Sequence, residues 1–154
     1  MLRTVEFLCL GLWLGADVFL SFVVAPGAFS VLGTRDAAGA IVGYSLTRMH
    51  LGGILCGIIF LVARFMRSGS FAILLTPAAG CVVLMIVLTA VSQFTVSARM
   101  AALRLRMGSI QSTPEGNPLL TEFARLHRIS VSLESAVLLA GICAMYLLVR
   151  EATR

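Results

Sequence analysis

The sequence predicts an all-α fold: an integral membrane four-helix bundle, one domain over residues 1–154, with N and C termini on the same side of the bilayer. Three observations carry this prediction. Hydrophobic residues make up 59% of the chain and charged residues 12%, against roughly 45–50% and 25% in soluble domains. A chain this small has too high a surface-to-volume ratio to hide that excess from water, so the excess must face lipid. The apolar residues fall into four long runs split by short, breaker-rich links, and an even number of crossings returns the chain to its starting side. The cationic residues are twelve Arg and no Lys, set at the edges of the apolar runs as interfacial anchors are.

The first helix is expected over about residues 5–32. Arg3 ahead of an apolar stretch, with small residues from Ala25 to Ala28, has the outline of a secretory leader. The run is longer than a leader's core of about 7–15 residues, and Asp17 interrupts it, so it reads as an uncleaved helix. Pro26 lies near its far end, where a kink or stop is tolerable. Gly33 to Asp36 form a polar link. The second helix is expected over about 37–66. Only Leu51 to Ala63 is cleanly apolar, too short for a hydrocarbon core of ~30 Å at ~1.5 Å per residue. The helix must therefore take in earlier residues, which sets Arg48 and His50 at or below the interface. Arg64, Arg67, Ser68 and Gly69 read as a tight turn.

The third helix is expected over about 71–106, with Pro77 one turn inside and a basic end carrying Arg99, Arg104 and Arg106. Gly108 to Pro118 (GSIQSTPEGNP) is dense in breakers and reads as a loop. The fourth helix, about 120–149, begins as the surface stretch Leu119 to Arg128 and turns apolar from Ile129. Arg3, Arg64, Arg67, Arg150 and Arg154 mark the end that holds the termini, called end A. Arg35, Arg99, Arg104, Arg106, Arg125 and Arg128 mark the other, end B, with Arg48 near it. The two sets are too similar in size for the positive-inside rule to orient the chain.

Small residues recur at four-residue spacing: Gly11 and Gly15, Gly39 and Gly43, Gly53 and Gly57, then Ala136, Ala140 and Ala144. Lipid supplies little hydrophobic drive between helices, so such faces let backbones pack closely. They serve the bundle itself and leave room for a homodimer or for partner membrane helices beside the lipid bilayer. Nucleic acid is not an expected partner, because the arginines lack interleaved aromatics. The four cysteines, Cys9, Cys56, Cys81 and Cys143, form no CxxC pair and read as packing residues. No phosphate-cradling glycine loop and no GxSxG elbow appears, so the reading leans away from an enzyme. The pattern identifies no cofactor.

Ionisable groups in hydrocarbon cost about 2.5–3.5 kcal/mol each at helix centre and usually have a task. Asp17 is midway along the first helix, and Arg48 and His50 enter the second from end B. His127, Ser130 and Glu134 fall at i, i+3 and i+7 on one face of the fourth, while Gln93 and Arg99 approach from the third. Together these eight are expected to line one polar pocket nearer end B. One reading is structural, with Asp17 and Glu134 paired to Arg48 or Arg99. The other is functional: the acids supply charge, while His50 and His127 act as metal ligands or proton carriers, histidine titrating near physiological pH. Cys81 and Met85, with Met49 and Cys56, add a soft donor set of the kind that suits copper(I).

At Gly11 to Gly15 (GLWLG), Phe19 to Pro26, Ser45 to Gly53, Thr95 to Arg99 (TVSAR) and Phe123 to Ser130 (FARLHRIS), the chain resembles the uncharacterised four-helix membrane family that includes eukaryotic transmembrane protein 205 and bacterial relatives. The resemblance covers most of the chain outside the Gly108–Leu119 loop, and the FxxxHxxS pattern with the helix-two histidine is its most specific part. It implies a four-helix membrane fold, with His50, His127 and Arg99 as the matching residues. The eukaryotic member's link to platinum-drug resistance implies handling of a soft metal species.

The leading functional expectation is a non-enzymatic membrane protein that binds or conducts a cation or small polar solute through this pocket. A haem- or quinone-binding redox protein, with His50 and His127 on separate helices as ligands, and a structural or assembly subunit are the alternatives. Arginine without lysine suggests a GC-rich bacterial genome, and hence the bacterial cytoplasmic (inner) membrane.

Overall fold

Each helix starts and stops where its local chemistry dictates. The computed structural model describes residues 1–153; Arg154, assigned by sequence to end A, lies outside the described residues. Helix α1 runs over Leu2–Val31, α2 over Arg35–Ser68, α3 over Pro77–Met107 and α4 over Pro118–Ala152, and all four are long and apolar enough to cross a membrane. Thr34 caps α2, its Oγ1 accepting from the Ala37 N–H at 3.2 Å, which satisfies one of the free amides of the first turn. Gly69 ends α2 in the left-handed region at φ 67°, its N–H donating to Phe65 O at 2.8 Å, a conformation that favours glycine. Asn117 caps α4 through the Leu119 N–H at 2.9 Å, with Pro118 at the first helical position, where its missing N–H costs nothing.

Two boundaries differ from the sequence reading. Phe71–Leu75 is a separate 3₁₀ turn, and α3 begins at Pro77 instead of carrying it one turn inside. The proline drives Thr76 to extended backbone, ψ 149°, so no helix can pass through that residue. Arg64 is not in a turn, because α2 continues to Ser68 and buries it.

Two helices also change pitch. In α1, Leu20–Val24 is π-helical, and the Ala25 N–H reaches back to Leu20 O. Pro26, two residues beyond Val24, has no N–H and a ring that crowds the carbonyl four residues back, and the wider turn relieves that conflict. In α3, Ser92–Ser97 is π-helical, and Thr95 Oγ1 donates to Val91 O at 2.5 Å.

Around the bundle, α1 packs beside α2 and α4, and α3 completes the ring against the same two. The apolar core lies in the half nearer end A, where Leu10 and Trp13, Phe60, Val82 and Met85, and Val137, Ala144 and Leu148 come together from the four helices. Three glycines permit this. A Cβ on Gly53 would strike the Trp13 indole, one on Gly57 would meet Ile86 and Trp13 at 2.8 Å, and one on Gly141 would strike Leu14. Gly11 and Gly15 have nothing within 4 Å, so that predicted face takes no part in the bundle. Leu8, Leu12, Ile58, Val62, Val87, Leu139 and Ile142 point outward, exposed, as lipid-facing residues must be. At end A, Arg3 Nη2 donates to Glu151 O at 2.9 Å, so the two chain ends meet.

Toward end B the ring opens. Among the described residues, the backbone of Ala25–Val31 lies against α2 and no other helix, and that of Ala98–Met107 lies against α4 and no other helix. The bundle therefore divides into two pairs, α1 with α2 and α3 with α4. A smaller cluster of Val96, Leu103 and Leu126 closes the second pair. The 108–117 loop bridges the division: Ser109 Oγ donates to Asp36 Oδ2 at 2.5 Å, the Ile110 N–H to Asp36 Oδ1 at 2.8 Å, and the Arg35 N–H to Gln111 Oε1 at 3.2 Å.

Candidate functional site

Where the two pairs part, a cavity of about 830 Å³ opens, within the range of small-ligand sites. Its walls are mostly apolar, with Leu20, Phe22 and Phe29 of α1 on one side and Val131 and Leu138 of α4 on the other. Ser97, Arg104, His127, Ser130, Glu134 and Ser135 add polar atoms.

At its inner end three helices fix one imidazole. His50 of α2 is fully buried; its Nδ1 lies 2.8 Å from Gln93 Oε1 of α3, and its Nε2 lies 2.5 Å from Glu134 Oε1 of α4. Ser92 Oγ donates to the same Glu134 oxygen at 3.3 Å. Facing the amide oxygen, Nδ1 carries its proton and donates. Nε2 and Oε1 then share one more proton, as imidazolium with carboxylate or as imidazole with carboxylic acid. Neither arrangement leaves net charge on the pair, which is how a titratable couple is tolerated away from water. The third contributor, Asp17 of α1, is buried and accepts from Ser21 Oγ at 3.3 Å, within Coulombic reach of Glu134 and His50. Asp17 Oδ2, Glu134 Oε2, Thr89 Oγ1 and Trp13 Nε1 are buried with no hydrogen-bond partner among the described residues. Two carboxylate oxygens without donors in a bundle interior are an invitation to water, a proton or a cation.

The π segments supply part of this arrangement. Ser21 lies in the first, and Ser92 and Gln93 in the second. A π turn inserts an extra residue and rotates the helix beyond it, and such turns recur at functional sites.

The eight residues expected in the pocket divide. Asp17, His50, Gln93 and Glu134 come together, and Ser130, buried, lines the cavity with Glu134. His127 is exposed on the cavity wall and makes no hydrogen bond among the described residues; it does not join His50. Arg48 lies outside the pocket, exposed, with its guanidinium 5.2 Å from the Tyr44 ring centre. Arg99 is likewise exposed and is not on the wall of this cavity. Neither arginine pairs with Asp17 or Glu134, so the ion pairs of the structural reading are replaced by histidine and hydroxyl partners. Among the described residues no three His, Cys, Asp or Glu side chains gather as a metal-holding set. Met85 is spent on the apolar core.

A second polar cluster escaped the sequence reading. Arg64, fully buried, donates from Nη1 to Glu6 Oε2 at 2.9 Å and from Nη2 to Glu151 Oε2 at 2.5 Å and Thr76 Oγ1 at 2.9 Å. Arg67 Nε donates to the other oxygen of buried Glu6 at 2.7 Å. The network ties α1, α2, α4 and the residue capping α3 at end A. Its signal was Glu6, an acid early in the first apolar run, whose partner is called for by the same cost that singled out Asp17.

The family model of a domain of unknown function, DUF4149, matches residues 8–109, a stretch that holds Asp17, His50 and Gln93 and ends before Glu134. No curated protein and no solved structure matches the chain.

Proposed function

The chain belongs to the DUF4149 family of domains of unknown function, and from that premise we propose that it is a membrane protein that binds or conducts a cation, a proton first of all, at the His50–Glu134 couple. One observation carries the reading: a buried imidazole nitrogen lies 2.5 Å from the oxygen of a partly buried carboxylate at the foot of a cavity, beside the buried carboxylate of Asp17, which has a free oxygen. Protonation of the couple or of Asp17 changes the local charge by one, and a monovalent cation at the free oxygens would balance the unprotonated state. Gln93 holds the ring so that only Nε2 faces Glu134.

The test is flux into proteoliposomes, with a pH-sensitive dye inside and sodium and potassium as separate probes. The parent is expected to carry protons or one of these cations, and Glu134→Gln and His50→Ala to reduce the rate at least ~10-fold, as loss of a buried titratable couple requires. A silent parent, or two variants that match it, ends the proposal.

The redox alternative has less support. Both nitrogens of His50 are already engaged and His127 is exposed, so haem ligation between them would demand rearrangement of both. A Soret band in purified protein supplied with haem would favour it. The assembly alternative draws support from the bare Gly11 and Gly15 face of α1, open to a second copy or a partner helix. Kinship with the family of transmembrane protein 205 rests on the segments around Trp13, His50, Arg99 and His127, and residence in a bacterial cytoplasmic membrane on the arginine-only cation usage.

A further inference from the structure

The cavity has a second charged element, at the opposite end from His50. Arg104 of α3 reaches across the division between the helix pairs, its guanidinium packed on the backbone of Gly39, where a Cβ would collide with Nη2. The group is half-buried, stands 5.4 Å from the Phe123 ring centre and makes no hydrogen bond or ion pair among the described residues. A guanidinium offers five N–H donors in a planar fork suited to a phosphate. The Arg35 side chain, on the same cavity wall and exposed, is likewise without a partner among the described residues.

Depth and shape narrow the occupant. Gly39 is in the first turns of α2 and Arg104 in the last turn of α3, the level of the headgroups at end B. Below them the cavity descends between apolar walls. Because the backbone of Ala25–Val31 does not approach that of α4, the cavity's side between Phe22 and Leu138 offers a lateral path to lipid. We propose that this cleft seats an anionic phospholipid, its phosphodiester on Arg104 and Arg35 and one acyl chain between the helix pairs. A soluble phosphate would use the fork and leave the apolar walls bare. Asp36 lies within Coulombic reach of Arg104, but both of its oxygens accept from Ser109 and Ile110. Two arginines thus face one acid at the mouth, and a zwitterionic lipid would add a further cation there. The inference stands apart from the cation reading: flux without lipid preference defeats it alone, and lipid preference without flux defeats the other alone.

The test uses the full chain in mild non-ionic detergent, titrated with phosphatidylglycerol, phosphatidylcholine or inorganic phosphate and read by native mass spectrometry. One phosphatidylglycerol should bind per chain, at least about tenfold tighter than phosphatidylcholine, the size of one charge-assisted hydrogen-bonded contact. Arg104→Gln should erase that preference, and Arg104→Lys should keep part of it. Ser135→Trp, an exposed position on the α4 wall, should block the acyl path and weaken binding with both arginines intact. Equal binding of the two lipids, a preference that survives Arg104→Gln, affinity unmoved by Ser135→Trp, or displacement of lipid by equimolar phosphate would each overturn the proposal.

Discussion

Two carboxylates in this bundle meet the cost of burial in different ways, and the difference predicts how each responds to substitution. Glu6 is surrounded by guanidinium groups, with Arg64 at 2.9 Å and Arg67 at 2.7 Å. Glu6→Ala would leave Arg64 buried with a lost partner, and breaking such a pair from one side costs about 3–5 kcal/mol. Unfolding in mixed micelles should show a loss of that order for Glu6→Ala and little for Arg48→Ala, whose side chain is exposed over Tyr44. Equal losses would mean that the network at end A is not holding the helices. Glu134 has no such cation. Glu134→Gln keeps the shape and a hydrogen bond to His50 while removing the shared proton, so it should leave stability within about 1 kcal/mol of the parent even as flux falls. That split between fold and function is what separates a working couple from structural glue.

At the scale of the helix, small residues and pitch decide who touches whom. Gly53 is the clearest case, since the Trp13 indole occupies the space a side chain would need. Gly53→Ala must push Trp13 or separate α1 from α2, and overpacking of this kind costs about 1–3 kcal/mol. Gly15→Ala, with nothing within 4 Å, should cost almost nothing in the isolated bundle. The check is the unfolding midpoint of both variants side by side, and a Gly53→Ala protein as stable as the parent would refute the packing argument. The four spans were legible because the length and polarity of each run speak directly to bilayer thickness. The inward position of Asp17, His50 and Glu134 was legible because charge in hydrocarbon is rare. Azimuth was not. Along α4, which has no π segment, the i, i+3, i+7 reckoning sets Ser130 and Glu134 on one cavity wall, with His127 at its rim. In α3 the extra residue within Ser92–Ser97 rotates everything beyond it, and Arg99, placed in the pocket by its depth alone, is exposed. Pro26 offers a visible cause for the bulge in α1; nothing so plain announces the one in α3. Glu6 and Arg64 are far apart in sequence, and only the fold shows that each answers the other.

Taken whole, the molecule is tied at one end and divided at the other. At end A the Glu6–Arg64–Glu151 network and the Arg3–Glu151 contact join helices that would otherwise meet only through apolar side chains. At end B the pairs separate, spanned by a loop clasped to Asp36 and by the Arg104 side chain lying against Gly39. In lipid-free detergent, where no acyl chain fills the cavity, water should therefore reach it from end B and stop at the His50 layer, because Met85, Phe60 and Leu148 fill the bundle beyond it. Cysteine accessibility reads this directly. With Cys9, Cys56, Cys81 and Cys143 replaced, Ser97→Cys on the cavity wall should react with a water-soluble maleimide, since alkylation needs a hydrated thiolate. Thr89→Cys, fully buried about two turns deeper, should react at least ~10-fold more slowly, as a group reached only through local opening does. Adding Glu151→Gln removes a charge that Arg64 holds at 2.5 Å and loosens the tied end, so it should speed labelling at Thr89→Cys and leave Ser97→Cys unchanged. If Thr89→Cys already labels as fast as Ser97→Cys in the otherwise unaltered bundle, the path continues past His50 and the tied end is no barrier. If Glu151→Gln changes nothing, the apolar core alone closes the bundle, and the ion network serves only to seat two buried charges.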